Sequence, residues 1–135
     1  SGDQVLPRIS SNVSVNISEP EADPLGEWLD SIDRLLTLPA DLLVCPAHGE
    51  PFYGLHNRLT ALRDEHLQRL DAVHAKIKET PLRAVDCFSL LFNRPIGAHN
   101  RELATGEAIA HLNRLLYDGR AKRDAQDGVH WYHAA

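Results

Sequence analysis

The sequence predicts an α/β segment at its front and a small α-rich domain, closed by a β-hairpin, at its back. Three observations carry that prediction. Apolar side chains alternate strictly in Ser11–Ser18, and apolar residues recur in steps of three and four from Leu55 to Ile77. Near the C-terminus, Asp124-Ala125-Gln126-Asp127-Gly128 separates two extended runs. The 135 residues suit one ordinary domain or two small units sharing an interface. With 43% apolar and 24% charged residues, the composition is that of a folded chain, not a disordered one.

Gln4–Arg8 and Ser11–Ser18 read as strands, the second with Val13, Val15 and Ile17 on one face. Pro7 and Pro20 mark the ends of this extended region, and Glu19–Pro24 is a loop. A helix is expected from Leu25 to Thr37. Leu25, Trp28, Leu29, Ile32, Leu35 and Leu36 form its apolar stripe, with Glu27, Asp30 and Asp33 mostly outside it. Leu42-Leu43-Val44 then reads as a short buried strand, because a sheet covered on both faces leaves no room for polar relief.

From Leu55 to about Glu79 the period becomes helical. Leu55, Leu59, Leu62, His66, Leu70, Val73 and Ile77 form one seam, which makes His66 a core histidine. Thr80 and Pro81 are expected to cap and start a second helix carrying Leu82, Val85, Phe88, Leu91 and Phe92. A third helix is expected over Arg101–Asp118, with Leu103, Ile109, Leu112, Leu115 and Leu116 inward. Ala121–Arg123 and Val129–His133 complete a hairpin. Three helices and a hairpin in this order make a winged-helix pattern.

No apolar run approaches the roughly 18 residues needed to span a bilayer. A basic region followed by an apolar core is also missing from the first residues, so a cytoplasmic location without membrane contact is expected. Cys45 and Cys87 share no short spacing and are expected to be buried free thiols. The absence of any Met fits a piece of a longer protein. Charge is uneven: residues 1–54 hold two basic and nine acidic side chains, a net of −7, whereas 55–80 and 81–135 each come to +1. An acidic first third argues against a nucleic-acid surface there. The third helix sets Arg101 and Arg114 against Glu102, Glu107 and Asp118, which suits a phosphate backbone poorly.

Chemistry concentrates in Cys45-Pro46-Ala47-His48-Gly49-Glu50-Pro51-Phe52, where a histidine sits on a loop stiffened by two prolines just past a strand-like run. Asp3, in Ser1-Gly2-Asp3-Gln4-Val5-Leu6-Pro7, is a carboxylate in a similar position. An imidazole and a carboxylate on rigid loops are metal ligands by type. Glu50 is a candidate to orient His48 from behind, since metal-bound histidines usually donate their second N–H to an acceptor. His56 is expected to have a capping or surface role. His130 and His133, three apart on a strand, point to opposite faces and do not form a pair.

Gly2-Asp3, followed some forty residues later by Pro46-Ala47-His48-Gly49-Glu50-Pro51-Phe52, resembles the second half of a metallo-β-lactamase-fold hydrolase. The long helix and tail resemble the C-terminal extension of the subgroup that includes glyoxalase II-like and endoribonuclease-like members. The resemblance covers nearly the whole chain. It implies that residues 1–54 close an αββα sandwich, 55–80 form a connecting helix and 81–135 a winged-helix-like domain. It also implies that Asp3 bridges two divalent metal ions, expected to be zinc, and that His48 is a terminal ligand. The implied reaction is attack of a metal-activated water on an ester, thioester, lactone or similar small-molecule bond.

The family's His-x-His-x-Asp-His motif is absent, since no two histidines here are separated by one residue. A zinc site needs three or four protein ligands. The chain alone is therefore expected to bind metal weakly or not at all and to hydrolyse nothing. Two alternatives stand beside the hydrolase: an endoribonuclease of the same fold, which salt-dependent RNA binding would favour, and a non-enzymatic winged-helix binding module. Uncovered strand edges in the first third lead to the expectation of a homodimer or of a disordered N-terminal third, and the tail is a second candidate dimer surface.

Overall fold

Every position of the seam predicted in the long helix is buried, from Leu55 to Ile77. The computed structural model describes residues 1–135. Its elements are α1 (Pro24–Leu35), α2 (Leu55–Glu79), a 3₁₀ turn (Ala84–Cys87), α3 (Phe88–Leu91), α4 (Arg101–Tyr117), β1 (Ala121–Gln126) and β2 (Val129–Ala134). The chain divides into two compact units, residues 1–12 with 27–66, and residues 13–26 with 67–135. No helix is long and apolar enough to cross a membrane.

In the first unit the buried residues are Val5, Leu6, Trp28, Ile32, Val44, Leu55, Leu59, Leu62 and His66. His66 is a core residue, as its place in the seam requires. Its Nδ1 lies 2.9 Å from the Leu62 carbonyl. A carbonyl only accepts, so Nδ1 carries the proton and Nε2 faces the Ser10 hydroxyl at 3.3 Å. The Trp28 ring lies 4.5 Å from the imidazole, centroid to centroid. His56 plays a fastening role, with Nε2 2.7 Å from the Leu38 carbonyl just past α1.

The expected front strands do not form ladders. Gln4–Arg8 is a run of bends, although Val5 and Leu6 are buried. Leu42-Leu43-Val44 makes a single antiparallel bridge, Val44 to Phe52, and Leu42 and Leu43 are exposed. A strand exists only through its neighbour, and no neighbouring strand runs beside these segments within this chain. Their polar groups are met otherwise: Arg58 of α2 donates to the carbonyls of Leu6 at 2.6 Å and Ile9 at 3.1 Å. Cys45 is exposed, contrary to expectation, because the loop that carries it lies on the surface.

The second unit is built around α4, whose Ala104, Ala108, Ala110, His111, Leu112, Asn113 and Leu115 are buried. Leu103, expected inside, is exposed, because alanines rather than leucines occupy the close face at that end. Helix α4 packs on the 3₁₀ turn, α3 and β1. Ser11–Ser18, expected as a strand, forms none: Val13 is buried while Ile17 is 93% exposed. From Val15 onward this segment is fastened to α4 by side chains. Asn113 Nδ2 donates to the carbonyls of Pro20 at 3.0 Å and Ala22 at 2.8 Å. Arg114 pairs with Asp23, and the Tyr117 hydroxyl donates to the Glu21 carbonyl at 2.7 Å.

The helix expected from Pro81 breaks up into the 3₁₀ turn and the single turn α3. Leu82 is claimed by the sheet, exchanging hydrogen bonds of 2.9 and 2.8 Å with Tyr132. Helical geometry starts only after Arg83, whose amide and Nε both donate to the Asp86 carboxylate, at 2.9 and 3.0 Å. The hairpin is longer and tighter than expected. Its loop is Asp127-Gly128 alone, with φ of 51° and 76°, so Asp124, Ala125 and Gln126 belong to β1.

Candidate metal site

Two backbone bridges shape the loop that bears His48. Val44 and Phe52 exchange hydrogen bonds of 2.8 and 3.0 Å, which closes the intervening residues into a loop. Gly2 forms a parallel bridge with Pro46, and the Ala47 amide donates to the Gly2 carbonyl at 2.9 Å. This second bridge draws the N-terminal segment alongside the loop. Gly49, next to His48, has φ of +89°, and a Cβ there would lie 2.8 Å from Cγ of Pro7. Only glycine allows that turn and that approach together.

The consequence is that His48 Nε2 lies 3.4 Å from Asp3 Oδ1, with both side chains about 70% exposed: 71% for His48 and 70% for Asp3. Two ligands of a four-coordinate zinc, each at about 2.0–2.1 Å, sit about 3.4 Å apart. The pair therefore fits a shared ion in donor type and in separation. It does not fit in number, because no cluster of three or more His, Cys, Asp or Glu side chains able to hold an ion occurs in the chain. Glu50 is exposed and makes no hydrogen bond to His48. The structure gives it no orienting contact.

Residues that hold Asp3 in place carry no signal in the sequence. The Ser11 hydroxyl donates to the Asp3 carbonyl and lies 3.4 Å from that of Gln4. The Gln4 amide group in turn donates to the Ser31 hydroxyl on α1. Together with Arg58, these contacts fix the backbone on both sides of the carboxylate. The partners of Gln4 and Arg58 are far apart in sequence, and no spacing rule reaches that far.

The family described as "Metallo-beta-lactamase-like, C-terminal domain" matches residues 70–135. The structure is similar to that of a beta-lactamase domain protein from Burkholderia ambifaria, with TM-score 0.96 and 44% identity over 100% of this chain and 40% of that one. It is also similar to a metallo-beta-lactamase family protein from Thermus thermophilus, with TM-score 0.80 and 29% identity over 99% of this chain and 40% of that one. The chain thus spans about two fifths of the length of these proteins. By sequence, no curated protein matches it. The fold match at 44% identity, the family match to the tail and the convergence of Asp3 with His48 agree: the chain belongs to the metallo-β-lactamase superfamily and corresponds to the C-terminal part of its members.

Proposed function

We propose that this chain is the C-terminal portion of a metal-dependent hydrolase, in which Asp3 and His48 supply two ligands of a site completed by residues outside this sequence. The observation that carries the reading is the 3.4 Å separation of His48 Nε2 and Asp3 Oδ1. Divalent ions held there, which we take to be zinc, would act as Lewis acids toward the scissile group of an ester, thioester or lactone. The chain's own residues position the two donors: Ser11 and Arg58 hold the backbone around Asp3, and Gly49 lets the His48 loop close against Pro7. With only two donors, the 135-residue chain is inactive in isolation.

The charges of α4 support reading the tail as a structural module and not as a nucleic-acid reader, since Arg114 is held by Asp23 and Asp118 and only Arg101, beside Glu102, is left to meet a phosphate. Two free thiols fit a reducing, cytoplasmic setting.

The test uses the parent protein, with Asp3→Asn and His48→Ala read by metal analysis and by hydrolysis of thioester, lactone and phosphodiester substrates. Each substitution is expected to lower bound metal and to cut turnover by at least about 100-fold, beyond the usual effect of losing an outer-shell group. Unchanged metal content would remove both residues from the site. Metal-dependent turnover by the isolated chain would overturn its proposed inactivity.

A further inference from the structure

The outer edge of the C-terminal hairpin carries an unpaired, self-complementary face. Tyr132 of β2 directs its amide and carbonyl to Leu82, with hydrogen bonds of 2.8 and 2.9 Å. Its partner across the hairpin is Arg123. In an antiparallel ladder a residue's two polar groups point to one side, so Arg123 must direct its own away from β2. By alternation, the same holds for Ala121 and Ala125. None of these outward amides finds a partner within the chain. Lys122 and Asp124 lie between them, exposed on the solvent face of β1.

We propose that β1 pairs with β1 of a second copy of this chain, antiparallel, about a two-fold axis at Arg123. In that register Arg123 meets its symmetry mate as a hydrogen-bonded pair, and Ala121 opposes Ala125. Lys122 then faces Asp124 of the other copy twice, at non-hydrogen-bonded positions where side chains approach most closely. Charge selects the register. Sliding by one hydrogen-bonding step sets Asp124 against Asp124 and opens both ion pairs.

The two Arg123 side chains do not oppose the pairing. Each lies on the core-facing side with Tyr132 and is held by both oxygens of Glu21, at 3.0 and 3.1 Å. Asp124 accepts from His133 through Oδ2 at 2.7 Å, leaving Oδ1 for the incoming lysine. Edge strands are commonly guarded against association by charged side chains, lysine above all, or by a proline. Lys122-Arg123-Asp124 instead carries both signs in the order that a two-fold axis satisfies.

Sedimentation velocity of the parent protein across a concentration series tests this, with circular dichroism confirming that each variant is folded. A reversible dimer weakened by salt is expected. Lys122→Asp alone or Asp124→Lys alone should weaken it by about tenfold or more, as two attractive cross-strand pairs become repulsive. The double exchange of Lys122→Asp with Asp124→Lys should restore it. Ala125→Pro removes an outward donor without touching the hydrogen bonds between β1 and β2, and should abolish the dimer in a folded chain. A monomer at every concentration overturns the proposal. So does a dimer indifferent to the single charge reversals or to Ala125→Pro, or one that the double exchange fails to restore.

Discussion

The amide of Val15 donates to the carbonyl of Gly106 at 3.0 Å, so an irregular segment lies directly against the middle of α4. A Cβ at Gly106 would meet the Val15 carbonyl oxygen and the Ser14 Cβ, each at 3.0 Å. Both neighbours are main chain or attached directly to it, and neither swings away. In an open helix, Gly→Ala gains about 1 kcal/mol from propensity. Here crowding of about 1–3 kcal/mol opposes that gain. Gly106→Ala is therefore expected to destabilise the chain by about 1 kcal/mol, read from urea unfolding. A gain in stability would show that the segment yields.

The two cysteines should react in sharply different ways. Cys87 is fully buried, and burial, with a smaller contribution from Asp86, pushes its thiol up to about 12. The thiolate is the reactive form, so Cys87 is inert at neutral pH. Cys45 is exposed. Titration of the native chain with an aromatic disulfide reagent should release one equivalent quickly, and a second only after denaturant is added. Cys45→Ser should remove the fast phase; its persistence would mean that the turn around Cys87 opens readily.

Glu107 on α4 gives a pH-dependent effect whose sign follows from burial. Desolvation raises its pKa from 4.5, against the opposing pull of Arg69 and Arg94. The folded state thus holds the proton more tightly than the unfolded one. No penalty exists below the unfolded value; it grows as pH rises toward the folded value and stays constant above it. Glu107→Gln should raise the melting temperature by a few degrees at pH 7.5, with the difference from wild type vanishing near pH 4. A variant melting lower than wild type at pH 7.5 would show that the two arginines outweigh the burial.

Long-period features were legible in the residues. The seam of α2 needed only its apolar spacing, because a helix makes its own hydrogen bonds and spacing alone says which side is covered. The bounds of α1 and α4 were readable within two residues for the same reason. Asp3 and His48 were recognisable as metal-ligand types from the motifs around them. The front segments carry a pattern that the fold does not follow: Val13, Val15 and Ile17 alternate as a strand does, yet the first is buried and the last almost fully exposed. Alternation describes a side-chain pattern, whereas a strand needs a partner ladder that this chain does not contain.

Helix periodicity, the tight hairpin chemistry of Asp127-Gly128 and the identity of the candidate ligands are local properties, carried by neighbouring side chains and backbone angles. The tertiary structure decided what depends on groups remote in the chain. Bridges from Gly2 to Pro46 and from Val44 to Phe52 set the distance between Asp3 and His48, and Tyr132 drew Leu82 out of a helix. The Gly2 and Tyr132 contacts rest on hydrogen bonds between groups far apart in sequence, and the Val44 bridge closes the loop between Val44 and Phe52. Residue spacing fixes a helix face; only the folded backbone fixes which distant carbonyl an amide will find.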